Sequence, residues 1–299
     1  MPLFRALKGA PVVALMERWP AMAQPRRSRF AGSLGVPVLI VTCLAVSGCM
    51  NSGPFAAAEQ AMSPAAQAQA LQDEFGPAVR LARASRRAGD YASAVNLYRS
   101  AVSAGTPDPS LLVELGDTLV EAGSPDDGID VYWKVLGLPK VDPKSGARLG
   151  AIRGLGHAYL ALGQADRALE HWDEALQLSP EDAGVLVGRG VTLDMLGRHE
   201  EAESSYRAVL SESPRDIPAR NNLALSLAMT GHFDEALDIM TPMARSATAT
   251  PRIRQNLALI YGLKGDKERA STASRLDLDQ RTTEANLRFF DFVRAGRPN

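Results

Sequence analysis

Cysteine is almost missing from this chain of 299 residues. The two present, Cys43 and Cys49, share one apolar run near the N-terminus, and no thiol follows residue 49. That excludes a disulfide framework and cysteine-held metal sites from the body of the protein. Histidine is scarce as well: His157, His171, His199 and His232 stand at no metal-ligand spacing from one another. His171, beside Trp172, reads as surface or inter-repeat packing. Aromatic residues make up only 6% while alanine abounds, which suits stacked helices better than a β-sandwich. A long hydrophobic run is lacking too. Residues 30–46 are apolar but broken by Gly32, Gly35 and Pro37, short of the roughly 20 apolar residues a spanning helix wants. Asp126, Asp127 and Asp130 lack the ligand ladder of a calcium loop and read as a cap for the helix after Pro125. Gly154 and Gly156 follow no strand, so they read as helix packing and not as a phosphate loop. No serine nucleophile motif stands on a strand–turn–helix. The sequence thus predicts no catalysis, no cofactor, no metal and no small-molecule substrate.

Charge of one sign is also lacking overall, with 33 Lys/Arg against 34 Asp/Glu. The average hides an asymmetry. Residues 1–48 hold six bases (Arg5, Lys8, Arg18, Arg26, Arg27, Arg29) and one acid, Glu17, so the rest of the chain carries six more acids than bases. A mildly acidic body argues against nucleic acid as the partner, because phosphate contacts need a basic face.

What is present begins with RRSRFAGSLGVPVLIVTCLAVSGC, residues 26–49. A basic head and a short apolar run have the form of a secretory signal. Val46, Ser47 and Gly48 precede Cys49, and the pattern resembles a bacterial lipobox, in which the cysteine is acylated and becomes the mature N-terminus. Two or three acyl chains, at about 0.8 kcal/mol per buried methylene, hold a protein stably on a bilayer. The competing reading is an uncleaved membrane helix with incidental cysteines. The resemblance implies a signal over residues 1–48 and lipid attachment at Cys49. Met50, which is not an aspartate, implies sorting to the outer membrane. Residues 1–21 fit no part of a signal, and a start at Met22 would leave one of ordinary length. Residues 49–74, rich in Ala, Gln, Ser and Pro, read as the lipidated end and a flexible tether.

From residue 75 the chain repeats itself. Gly163, Gly197, Gly231 and Gly265 are 34 apart, as are Ala168, Ala202, Ala236 and Ala270. Gly89 with Gly123, Ala94 with Gly128, and Tyr98 with Tyr132 keep the same step. Between Gly123 and Gly163 the step is 40, so six extra residues lie around 140–147. A fixed step of this size is the mark of stacked helix pairs. Copies fall at 75–108, 109–142, 149–182, 183–216, 217–250 and, degenerate, 251–284. The third carries Leu155, Gly156, Tyr159, Ala168, Trp172, Ala175 and Pro180 and resembles the tetratricopeptide repeat. The fifth has Thr248 where proline is usual, and the sixth has Ser274 for the second-helix aromatic. The repeats at 75–284 predict an all-α, right-handed superhelical solenoid. The segment TEANLRFFDFVRA, which begins at Thr283 and runs into a capping helix and tail at 285–299, covers its open end.

First helices should line the inner face of such a stack. Asn222 and Asn256 occupy one repeat position, where asparagines of the O-GlcNAc transferase superhelix bond the backbone of an extended peptide. An amide both donates and accepts, so it can pair with any peptide unit. The alternative is a polar tie between neighbouring helices. Arg153 with His157 gives a faint likeness to the clamp that holds chaperone tails. Arg80, Arg83, Arg86 and Arg87 lie opposite Glu114, Asp117 and Glu121, either as inter-helix salt bridges or as a dock for an acidic segment.

The lipobox, the repeats and the C-terminal run PRIRQNLALIYGLKGDKERA followed by ANLRFF together resemble the TadD family, tetratricopeptide lipoproteins of the tight-adherence (Flp pilus) secretion machinery. The resemblance covers about residues 75–292; the insertion and the weak fifth repeat depart from it locally. It implies a pilotin-like, non-catalytic assembly factor for the pilus secretin, lipid-anchored in the outer membrane and facing the periplasm, with protein partners. The rival reading is a general cell-envelope adaptor, for outer-membrane assembly or peptidoglycan hydrolases.

Overall fold

Residues 76–103, 108–139, 141–142 and 145–295 are described by a computed structural model of the chain. Cys49, the signal and the tether lie outside them. Thirteen α-helices and no strand occur among the described residues. They are α1 Pro77–Arg87, α2 Tyr91–Ser103, α3 Pro109–Glu121, α4 Pro125–Leu136, α5 Gly146–Ala161, α6 Ala165–Leu178, α7 Ala183–Met195, α8 His199–Glu212, α9 Ile217–Met229, α10 Phe233–Arg245, α11 Pro251–Lys264, α12 Lys267–Ser274 and α13 Gln280–Ala295. Odd-numbered α1 to α11 are the first helices of six pairs; even-numbered α2 to α12 are the second.

Two local devices punctuate the chain. First helices are opened by a side chain that accepts a backbone N–H of the first turn: Asp108, Ser145, Asp182, Asp216 and Thr250 do so for α3, α5, α7, α9 and α11. Such a cap is worth about 1 kcal/mol. Within each pair the turn is glycine-closed. Gly89, Gly123, Gly163, Gly197, Gly231 and Gly265 all have positive φ, from 71° to 95°. The N–H of the residue after each bonds the carbonyl five residues earlier, as from Gln164 to Tyr159 (2.8 Å) and Arg198 to Leu193 (2.9 Å). This closure satisfies orphan carbonyls, and only glycine takes the left-handed conformation at little cost. Four second helices start without a side-chain cap, at Ser124, Gln164, Arg198 and His232, while Asp90 and Asp266 accept the N–H of Ser93 and Arg269 at the starts of α2 and α12. Here the structure corrects the sequence: Asp126 and Asp127 do not cap but lie within the first turn, where the helix dipole favours acid.

The insertion is absorbed partly into helix. Ser145 caps α5 early, and α5 runs 16 residues against 13 in α3, α7 and α9.

Packing between helices follows from three positions of each copy, numbered from its first residue. Position 8 is always small: Ala82, Gly116, Gly156, Gly190, Ala224 and Ala258, all buried. Position 24 is the large second-helix residue: Tyr98, Tyr132, Trp172, Tyr206, Met240 and, in the last copy, Ser274. Trp172, wholly buried, lies between Gly156 of its own pair and Gly188 of the next; a Cβ on either would come within 2.7 Å of an indole carbon. Tyr132 lies likewise between Gly116 and Gly154. Position 6 is thus the residue that meets the preceding pair's second helix. It is Glu114 opposite Tyr98, Gly154 opposite Tyr132 and Gly188 opposite Trp172.

Every helix packs on its neighbours in sequence, and from α3 onward first helices also pack on first helices of adjacent pairs. The stack is therefore tightest along the first-helix row, and it is a superhelical solenoid with those helices inside. The apolar core is continuous through α7 to α11, with Leu193, Leu223, Leu227, Met240, Leu257 and Ile260 at its centre. At the end, α13 lies where a seventh first helix would, packed on α11 and α12. Phe290 presses on Gly262 there.

Candidate peptide groove and its seams

On a helical wheel, positions 5, 9 and 12 of each first helix fall between the faces marked by positions 6 and 8. In α5 they are Arg153, His157 and Leu160; in α7, Val187, Val191 and Asp194; in α9, Asn221, Leu225 and Ala228. Along this inner row of the three helices only His157 is exposed; Leu225 and Ala228 are buried and the rest are half-buried.

Arg153 and His157 stand one turn apart on α5. Arg153 donates to Asp182 at 3.3 Å, and Asp182 also accepts the Val185 N–H at 3.0 Å as the cap of α7. The guanidinium is therefore committed to the α5–α7 junction. His157 reaches solvent and stands edge-on to Trp172, with ring centroids 4.8 Å apart. Crowding by its helix neighbours, and then the Arg153 charge, hold its imidazolium pKa below the usual range.

Asn222 and Asn256 occupy position 6, the row that enters the seams. Asn256 is 4% exposed and donates to Asn221 at 2.7 Å. Asn221 in turn donates to Asn222 at 3.0 Å. This relay ties α9 to α11. Asn222 is half-buried and accepts at the end of the relay through its Oδ1. Asn221, which sits at position 5 and serves both neighbours, was not among the residues that the sequence singled out. The doublet Asn221-Asn222 was the available signal.

Asp194 was also missed. Its side chain accepts from Tyr206 at 2.8 Å and Ser226 at 2.7 Å, and His199 Nδ1 lies 2.8 Å away. One carboxylate thereby joins α7, α8 and α9. No motif announces it, because its partners stand 12, 32 and 5 residues away.

The arginine row of α1 resolves as inter-helix pairing. Arg83 forks onto Glu114 at 2.9 and 2.6 Å, and Arg86 onto Glu121 at 2.8 Å for both bonds. Burial lowers the Arg86 pKa, but the Glu121 hydrogen bond outweighs it and the net shift is upward. Tyr98 adds a hydroxyl to Glu114, and Tyr132 one to Asp117. His171 is packed between pairs, stacked on Tyr159 at 5.4 Å with Trp133 edge-on at 5.8 Å. Among the described residues no helix is long and apolar enough to cross a membrane, and no cluster of His, Cys, Asp and Glu could hold a metal ion.

A curved stack of helix pairs around a groove defines a helical-repeat scaffold. The tetratricopeptide repeat family matches residues 79–142 and 153–217, and a second tetratricopeptide repeat family matches 195–260. Together they span more than half of the chain, which belongs to the tetratricopeptide repeat proteins. Among curated proteins, the Protein CTR9 homolog of Arabidopsis thaliana is 32% identical over 117 residues, 38% of this chain. The chain spans 10% of that relative's length. Among solved structures, a tetratricopeptide repeat protein from Parabacteroides merdae aligns with a TM-score of 0.57 at 20% identity, covering 75% of this chain and 89% of its own. A thermophilic tetratricopeptide repeat protein of Thermus thermophilus gives 0.53 at 24% identity, covering 61% and 96%. Both share the fold. Repeats of this family generally mediate binding between proteins, and no catalytic family is indicated.

Proposed function

We propose that this protein is a lipid-anchored outer-membrane scaffold, facing the periplasm, that holds an extended segment of a pilus-assembly component while the pilus secretin assembles. The observation that carries the proposal is the lipobox at Cys49 followed by a chain whose whole described length is repeat stack and cap. A tether raises the effective concentration of scaffold beside its client. The stack supplies recognition: Arg153, His157 and Asn222 lie along the inner helices α5 and α9. The resemblance of the C-terminal run to TadD lipoproteins supports the Flp pilus as the setting.

The test is deletion of the gene, followed by measurement of secretin abundance, multimers and position in fractionated membranes. Complementation uses wild type and Cys49→Ser. The proposal expects multimers to vanish or mislocalise and only the lipidatable form to restore them. Unaffected secretin sinks the pilus setting. Groove binding is read separately by Asn222→Ala and Asn256→Ala. Client affinity unchanged in the double variant removes these amides from the binding face.

A further inference from the structure

Position 25 of the repeat faces solvent on the second helix. Five copies place a polar residue there: Arg99, Asp173, Arg207, Thr241 and Arg275. The second copy alone holds an aromatic one, Trp133, which is 50% exposed. It stands on α4 just before the one insertion that breaks the repeat step. An exposed large apolar residue is not unusual by itself. Here the other five copies serve as internal controls: the fold asks for nothing apolar at this place. The ring is also held still. His171 of the next pair packs edge-on against it, and His171 is fixed by stacking on Tyr159.

Asp126, Asp130 and Trp133 are spaced i, i+4, i+7 and form one stripe along α4. Both carboxylates are exposed and, among the described residues, neither has an ion pair. Asp127, by contrast, is paired with Arg99 at 3.8 Å. An indole face beside two unpaired carboxylates selects its occupant by chemistry. A purely apolar partner would desolvate the carboxylates without compensation. Nucleic acid would set phosphate against them. A guanidinium satisfies both features, since its plane stacks on the indole while its edge forks onto a carboxylate.

We propose that the outer face of α4 is a docking platform for an arginine-bearing segment of a partner protein, with Trp133 as the stacking surface and Asp126 and Asp130 as the counter-charges. The platform lies on a second helix, on the opposite side of the pair from the groove. A client in the groove and a partner on α4 can be bound at once.

The test is fluorescence anisotropy with a labelled peptide carrying two arginines in a Gly/Ser background. It is titrated with the purified chain at about 0.15 M salt, where diffuse attraction is screened. A lysine peptide and a glutamate peptide are the controls. The variant Trp133→Thr copies what the fifth repeat carries at this position and adds no charge; circular dichroism checks the fold. The arginine peptide should bind wild type, the lysine peptide more weakly and the glutamate peptide not at all. Trp133→Thr should lose about two- to fivefold in affinity, and Asp126→Asn with Asp130→Asn a further severalfold. Equal binding of the arginine peptide to wild type and Trp133→Thr overturns the proposal, because the acidic surface alone would then account for it. So does absence of binding to wild type up to about 1 mM.

Discussion

The seam between the first and second repeats and the seam between the third and fourth close in opposite ways. At the first, α1 meets α3 through charge. Arg83 and Arg86 fork onto Glu114 and Glu121, while only Val79 and Ala82 of α1 are buried. At the second, α6 meets α7 chiefly through shape, with Arg189 paired to Asp173 at 2.7 Å on its exposed edge. Trp172 fills the space that Gly156 and Gly188 leave open, with no polar partner for its ring nitrogen. The repeat frame is the same in both. What differs is position 6, which is Glu114 at one seam and Gly188 at the other. Position 6 thus decides whether the large ring of the preceding pair is met by a carboxylate or is given room for its volume.

Breaking the shape-closed seam should give the largest effect. Trp172→Ala removes one ring from the seam and from the interior of its own pair at once and should cost about 3–5 kcal/mol, as large-to-small core changes do. Urea denaturation followed by circular dichroism measures it. Gly188→Val attacks the same seam from the other side. Its Cβ would sit 2.7 Å from the indole, and overpacking of this kind costs about 1–3 kcal/mol. A loss under about 1 kcal/mol for both would mean that the seam relaxes freely and that volume does not hold it.

The fourth and fifth repeats meet at an intermediate seam, polar but buried. Asp194→Ala strands the hydroxyls of Tyr206 and Ser226, each buried, and should cost about 2–3 kcal/mol. Ser226→Ala removes a donor instead and should cost about 1 kcal/mol. The two residues are in direct contact, so the double variant should cost less than the sum, by roughly 0.5 kcal/mol or more. Strict additivity would show that the carboxylate does not join these helices.

The left-handed turns offer a smaller, uniform effect. Gly197, at φ 75°, has open space around its missing Cβ. Gly197→Ala should therefore cost only the conformational penalty, about 1–2 kcal/mol. A much larger loss would reveal contacts at that turn beyond the closing bond.

The frame of the molecule was legible in the sequence because it is local. Gly163 and its repeats specify turns within five residues, and the glycine–aromatic pairs recur every 34. The seams were less legible because they join residues that no short pattern links. The sequence offered Asn222 and Asn256 as equals, yet only depth in the stack separates the half-buried amide from the buried one. The volume of the neighbour decides this. Position 6 must be glycine opposite Trp172 and holds asparagine opposite Met240. Asp194 was invisible for the same reason: its carboxylate, on α7, gathers partners from α8 and α9. The exposed Trp133 was in plain view in the repeat alignment, but its setting became clear only when His171 was found beneath it.

The charge-closed seam gives the subtlest effect and the sharpest contrast. Burial by itself would raise the Glu114 pKa, but hydrogen bonds from Arg83 and Tyr98, with the Arg83 charge, overcome it and hold the carboxyl below its ordinary value. A depressed carboxylate stabilises the fold above the unfolded pKa, and that contribution is lost as pH falls through the folded one. Asp117 runs the other way: burial dominates and raises it. As pH falls into the ordinary carboxylate range, protonation of Asp117 should first relieve its burial; below that range Glu114 takes up its proton and α1 and α2 should loosen. The pairs are part-exposed, so each is worth about 0.2–1 kcal/mol and salt screens it. Amide exchange at neutral pH should show α1 and α2 losing more protection as salt rises than α6 and α7, whose mutual ion pair, Arg189 with Asp173, lies beside a filled apolar seam. Glu114→Gln should remove the acid sensitivity of α1 and most of its salt response. Equal salt response at both seams would mean that the forks on Glu114 and Glu121 are ornamental and that Val79, Ala82 and Tyr98 hold the first repeat unaided.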